Sequence, residues 1–389
     1  MDPTSRSDAG YSRRGVLRIA AGATAGVGAA VATTARARPA TAEPTVLTQN
    51  CYLGFDVSRL LSADSLGGFR RIVGRFVDRV DPAVYAARAD AVAAAVADAD
   101  ADVVALQEAT RFRTQTPGDF GTRGAEAADD VLVDLLEEVE AALDARGLDF
   151  RRAAVTRTSD AELPAETADG RLDFRVTDRN AVLVRDGVDV RGRVRRTFDT
   201  DLAVAIPNTD EEVSLRRGYA RADLAMEGVT FAAVSTHLEA VSSFMRVLQA
   251  RELLRELPGD RPVVLAGDLN SGPRGESAAY DLLTEEFVDP FGRLSTDGSG
   301  ATCCQSPTLR NDRSALSRRI DAVLRRGDIR ATAIERVNHR AADRIRIARE
   351  GTDDGTGDGT DAGDGDGADG EQLWPSDHAG VVATFETPG

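Results

Sequence analysis

Pro262-Val263-Val264-Leu265-Ala266 runs directly into Gly267-Asp268-Leu269-Asn270. A short apolar run closed by polar residues reads as a buried strand, with its polar groups at the C-terminal tip. Gly267 lets the backbone approach a neighbour closely. Asp268 and Asn270 are two apart, so on an extended segment they face the same side. Taken alone, the stretch also fits an Asp/Asn turn ahead of Pro273. Outward from it the design recurs. Thr45–Asn50, Asp102–Gln107, Asn180–Arg185, Ile320–Arg325 and Gly380–Phe385 read as further strands. Arg217–Met226 and Val229–Thr236 read as a hairpin around Glu227-Gly228. Pro82–Ala99, Ala128–Ala145 and Val241–Leu257 read as helices. Hairpins together with helix-separated strands predict mixed sheets with helices packed outside.

The chain of 389 residues carries 64 acidic and 48 basic residues, a net charge of −16. Every basic residue is Arg, which excludes Schiff-base lysine chemistry and a P-loop lysine. An acidic, Lys-free, Ala-rich composition is that expected of a salt-adapted protein; an ordinary acidic secreted protein is the alternative. Such a charge argues against unaided binding of nucleic acid. Local clusters at Arg191–Arg196 and Arg216-Arg217 offer places to guide an anionic substrate.

Only three histidines occur, and two sit in short motifs with acids: His237 in Ser235-Thr236-His237-Leu238-Glu239, and His378 in Ser376-Asp377-His378. Gln107-Glu108 and Arg319-Ile320-Asp321 supply further carboxylates at strand ends. Phosphoester hydrolysis gathers charge on the non-bridging oxygens, so it needs a divalent cation and fixed donors. Mg²⁺ takes a few carboxylates and keeps water, which makes Glu108 the leading metal ligand. His378 is a candidate general base or acid, since imidazole titrates near neutrality. One of Asp268 and Asn270 can align or deprotonate water while the other donates to phosphate. His339 matches no motif and reads as a surface residue.

The ordered set Asn50, Gln107-Glu108, Ser235-Thr236-His237, Gly267-Asp268-Leu269-Asn270, Arg319-Ile320-Asp321 and Ser376-Asp377-His378 resembles the endonuclease/exonuclease/phosphatase superfamily over about residues 45–387. Pancreatic-type deoxyribonucleases, abasic-site endonucleases, inositol polyphosphate phosphatases and neutral sphingomyelinases are members. The resemblance implies an α/β four-layer sandwich, two mixed sheets face to face with helices outside, and dependence on Mg²⁺ or Mn²⁺. It implies that Asn50 and Glu108 hold metal, with Asp377 beside them. It makes Asp321 the partner of His378, and gives His237 the phosphoryl oxygen or the leaving group. Abasic-site endonucleases lack that second histidine. Asn180, Arg217 and Tyr219 match less tightly, as candidate phosphate contacts. The implied activity is hydrolysis by activated water, with extracellular DNA the first substrate, and phospholipid head groups or small phosphoesters the alternatives. A non-catalytic binding module on the same fold is the reading from another class. No obligate protein partner is evident, and a monomer is expected.

Ser12-Arg13-Arg14-Gly15-Val16-Leu17, a weakly apolar stretch and Ala40-Thr41-Ala42 read as a twin-arginine signal over residues 1–42. The catalytic domain then spans 43–389, and secretion is expected. Residues 351–371, rich in Asp and Gly, read as a disordered loop within it. Of the three cysteines, adjacent Cys303 and Cys304 are rarely bonded to each other, and Cys51 with one of them is an open alternative.

Overall fold

The computed structural model describes residues 43–226, 228–347 and 370–386. The expected export signal therefore lies outside the described residues, as does 351–369 of the acidic loop. That loop reaches less far than expected, because Glu371 already belongs to a strand.

In chain order the strands are β1 (Thr45–Asn50), β2 (Val103–Gln107), β3 (Arg111–Gln115), β4 (Asp130–Asp134), β5 (Phe150–Thr167), β6 (Gly170–Arg185), β7 (Asp189–Thr197), β8 (Leu202–Ala205), β9 (Glu212–Leu215), β10 (Gly218–Met226), β11 (Val229–His237), β12 (Val263–Asp268), β13 (Asp321–Arg326), β14 (Arg330–Val337), β15 (Ile345–Ile347), β16 (Glu371–Leu373) and β17 (Gly380–Glu386). The α-helices are α1 (Leu66–Val77), α2 (Pro82–Asp98), α3 (Leu135–Ala145), α4 (Ser243–Glu256), α5 (Ala278–Thr284) and α6 (Phe291–Leu294). One sheet runs β14-β17-β1-β2-β6; β3 and β4 continue from the first half of β6, and β5 pairs along it. The second runs β13-β12-β11-β10-β7. Parallel and antiparallel pairs occur in both.

Three cores separate four layers. Strand alternation assigns them: Val103 and Ala105 of β2 face the second sheet, whereas Val104 and Leu106 face α1, α2 and α3. On β12, Val264 and Ala266 point into the inter-sheet core, and Val263 and Leu265 pack beneath α4 and α5. Both of these strands are apolar on both faces because each face is covered. The α/β four-layer sandwich is the fold that the sequence led us to expect.

Two elements differ from their sequence reading. Ala128–Ala145 is not one helix: Val131 and Val133 pair with Arg113 and Phe112 as β4, and α3 begins only at Leu135. The Asp134 side chain accepts the Glu137 N–H and so caps α3. The adjacent cysteines are also joined to each other, Cys303 to Cys304, while Cys51 is a free thiol buried on the helix-facing side of the first sheet.

Candidate active site

Register brings the chemistry to one end of the sandwich. His237, Asp268 and Asp321 form a single cross-strand row, with His237 opposite Asp268 and Asp268 opposite Asp321. In the facing sheet, Asn50 ends β1 opposite Gln107, which ends β2, and Glu108 follows. His378 lies just before β17, the antiparallel neighbour of β1. Gly267 has a specific duty in this register. A Cβ there would sit 2.0 Å from the Thr236 carbonyl oxygen, so only glycine allows β12 to lie against β11 where Asp268 is presented.

Asp268 is the hub. Its Oδ2 accepts from Asn50 Nδ2 at 3.0 Å, and its Oδ1 accepts the Asn270 N–H at 2.8 Å. His237 Nε2 lies 3.3 Å away and His378 Nε2 3.9 Å away. Asp321 Oδ2 holds His378 Nδ1 at 2.8 Å. Asn270 Nδ2 lies 3.1 Å from His237 Nε2 and donates to the Leu238 carbonyl at 2.9 Å. On the far side of His237, Arg217 Nη1 stands 3.0 Å from Nδ1, which therefore accepts and leaves the proton on Nε2.

The titrating groups are pushed in different directions. Burial, then the Arg217 guanidinium, holds His237 well below its usual range, so it is neutral. Burial disfavours charge on His378 as well, but Asp321, Asp377 and Asp268 outweigh it and hold the imidazole well above its usual value. Burial and then Asp321 raise Asp268 to about 6. Burial and the negative charge of Glu108 raise Asp377 to about 7. Glu108 is raised by burial and Asp178.

Backbone strain concentrates here too. Tyr52, Glu108 and Asn270 all adopt the left-handed region, at φ 56°, 52° and 47°. Side chains held so are disfavoured and persist only where surrounding structure fixes them. Leu53 N–H to Glu108 Oε2 at 2.6 Å, Tyr52 N–H to Asn50 Oδ1 at 2.9 Å, and the Asp268–Asn270 bond do that fixing.

Not every sequence candidate stands where expected. Asn50 presents its amide nitrogen to Glu108 and Asp268, because its oxygen is taken by Tyr52; it orients carboxylates rather than offering a ligand oxygen. Tyr219 is corrected outright. On β10 it points the opposite way from Gly218 and Ala220, into the core under α4, where its hydroxyl donates to Glu256 Oε2 at 2.6 Å. It cannot reach a phosphate. Asn180 is fully buried and donates to the Gly218 carbonyl at 2.7 Å, with no partner for its Oδ1 among the described residues. Arg217 is at the centre, flanked by Asp178 at 3.7 Å and Glu239 at 3.9 Å. His339 is not a surface residue: its side chain is 11% exposed and lies 3.6 Å from Asp297.

Two supports were not legible as such. Thr302 Oγ1 accepts the N–H groups of both Ile320 and Asp321 at 3.1 Å, and Cys303 bridges to His378, so the Thr302-Cys303-Cys304-Gln305 segment clamps the Asp321–His378 pair. Arg88, buried mid-helix in α2, donates to the Cys51, Tyr52 and Pro375 carbonyls and ties the loop after Asn50 to the one before His378. A cation inside an Ala-rich helix was the available signal.

Carboxylates are plentiful and cations scarce, which is the fit expected of a hard divalent ion site. Asp377 Oδ1 is buried with no hydrogen-bond partner among the described residues, and it and the Glu108 carboxylate are oxygen ligands of the kind that a hard cation takes. The ligand atoms of Asp268, Asp321 and His378 also lie within 4.8 Å of one another. His378 is engaged by Asp321 and held charged, so that trio reads as a proton-holding unit.

A family model described as Endonuclease/Exonuclease/phosphatase family matches residues 47–378. A search of curated proteins finds no match. Among solved structures, a family protein from Bacteroides thetaiotaomicron aligns at TM-score 0.50 and 16% identity, covering 88% of this chain and 97% of that one. One from Beutenbergia cavernae aligns at TM-score 0.50 and 18% identity, over 89% and 72%. A mannosyl-6-phosphatase from Bacteroides thetaiotaomicron aligns at 0.49 and 16%, over 88% and 99%. The chain belongs to the endonuclease/exonuclease/phosphatase family and is a phosphoester hydrolase of that family.

Proposed function

We propose that the chain is a Mg²⁺- or Mn²⁺-dependent phosphodiesterase that attacks with activated water. The supporting observation is the row His237–Asp268–Asp321 facing Glu108, Asp377 and His378 across the sheets. Glu108 and Asp377 would hold the cation, which when bound neutralises charge on the phosphoryl oxygens. Asp268, raised to about 6, is the base that takes the proton of the attacking water. Asn50 and the Asn270 N–H aim its two oxygens. His237 Nε2–H and Asn270 Nδ2 donate to a non-bridging oxygen, backed by the Arg217 charge. His378 holds the proton that passes to the departing oxygen, and Asp321 keeps it in place. Asp268 and His378 are both pushed upward, yet near neutrality Asp268 is still able to accept a proton while His378 holds one, which makes them an acid–base pair. The twin-arginine reading makes this a secreted enzyme, and the composition makes it one that works in brine.

The test is hydrolysis of bis-p-nitrophenyl phosphate, p-nitrophenyl phosphate, plasmid DNA and sphingomyelin in molar salt, with Mg²⁺, Mn²⁺ or EDTA. Cation-dependent cleavage of at least one is expected. Full activity in excess chelator would remove the metal from the mechanism. Inertness towards all four would favour a binding module.

A further inference from the structure

Arg217 is shared between the active site and a cleft that the proposed chemistry does not use. The cleft is about 240 Å³, lies between the 57–62 turn and the β8–β9 hairpin, and is walled by Val57, Leu61, Leu202, Leu215 and Val241. That exceeds the ~150 Å³ of an engineered apolar cavity that holds benzene. A smaller apolar recess joins it through Val57, Leu215 and Arg217, and reaches Leu53 and Asp178. Continuity with the reaction centre is direct. The Leu53 N–H binds Glu108 at 2.6 Å, and Arg217 stands 3.0 Å from His237.

The rim carries exposed apolar side chains beside the exposed Asp56. Leu61 is 50% exposed and Val241 51%, and Phe244, three residues on, is 72% exposed. Exposed apolar side chains grouped beside polar chemistry mark a binding surface. The apolar part of the wall is aliphatic, with Asp56, Arg217 and Glu239 also lining the cleft; the one aromatic in either part, Phe55, is buried and stacked on Phe76 at 4.1 Å. Within the cleft lining no exposed ring is offered for a nucleobase to stack on; Phe244 stands outside it. The net charge of −16 also disfavours a polyanion more than an ester with one charge.

We propose that this cleft binds the alkyl chain of an amphiphilic phosphoester, seated beside the phosphate that the active site cleaves. The proposal rests on the phosphodiesterase reading. Its test is kcat/KM with Mn²⁺ for methyl, butyl, hexyl and octyl 4-nitrophenyl phosphate below their micellar concentrations, with thymidine 5′-(4-nitrophenyl phosphate) alongside. Each buried methylene should raise kcat/KM about fourfold until the cleft is filled. Leu61→Asn and Val241→Asn, both at half-exposed sites and outside the catalytic set, should flatten the series while leaving the methyl ester unchanged. A flat wild-type series with a cleaved methyl ester would overturn the cleft and spare the hydrolase. Preference for the thymidine ester over the octyl ester would also overturn it. No cleavage of any ester, the methyl included, would instead overturn the reading beneath it.

Discussion

Asp321→Ala is the perturbation whose outcome the geometry constrains most. Asp321 Oδ2 and His378 Nδ1 are 2.8 Å apart, and both side chains are buried, at 1% and 8% exposure. Three effects follow from removing the carboxylate. His378 loses its closest negative partner, so its hold on the proton weakens, with Asp377 and Asp268 left to oppose burial. It also loses the contact that fixes its orientation. A buried donor is left unpaired, which costs about 1–3 kcal/mol of stability. Loss of general acid function lowers kcat by ~10²–10⁴-fold. His378→Ala should fall in the same range, and the double variant should be little worse than the worse single, because the two act as one unit. Single-turnover hydrolysis of bis-p-nitrophenyl phosphate at saturating Mn²⁺ reads this directly, with a melting curve to confirm folding. Losses that multiply in the double variant would refute the pairing.

Thr302→Val removes the acceptor of two buried N–H groups, so it should cost about 1–3 kcal/mol in denaturant unfolding and lower kcat through a displaced Asp321; unchanged stability and rate would show that the clamp is idle. Metal-free protein should lose stability as pH rises. Asp268 and Asp377 hold protons more tightly folded than unfolded, so folding takes up protons between about pH 4 and 7 and stability falls across that window; His378 carries the fall on above pH 6.5, while His237, held below its usual range, offsets part of it below that value. A Tm lower by several degrees at pH 8 than at pH 5, with Mn²⁺ raising it more at pH 8, is expected in EDTA-treated samples; a flat profile would contradict the crowded-carboxylate account. Tyr219→Phe should leave kcat and KM unchanged, since the hydroxyl binds Glu256 beneath α4.

Much of this was legible because strand periodicity is short-range. Apolar runs ending in Asp268, Gln107 and Asn50 marked both the sheets and the functional tips. What escaped depended on distant partners. Tyr219 was a candidate phosphate contact through the loose match of Arg217-Gly218-Tyr219 to the family, but alternation along β10 turned it to the outer core. Val131 and Leu132 sit at helical spacing with Leu135, Leu136 and Val139, yet pairing with β3 put them in a strand. Asn50 was expected to hold metal, and nothing local reveals that Tyr52 N–H would occupy its oxygen. The Thr302 clamp joins residues 18 and 19 positions apart, beyond any motif window.

The central claim is that buried carboxylates facing the His237–Asp268–Asp321 row hold a divalent ion needed for phosphoester cleavage. Titration of Mn²⁺ into EDTA-treated wild-type and Glu108→Gln protein, followed together by electron paramagnetic resonance and by hydrolysis of bis-p-nitrophenyl phosphate, tests it most directly. The account predicts that binding and activity saturate together in the wild type, and that Glu108→Gln needs at least tenfold more Mn²⁺ for both. Identical titrations for the two proteins, or hydrolysis at full rate before any Mn²⁺ binds, would contradict it.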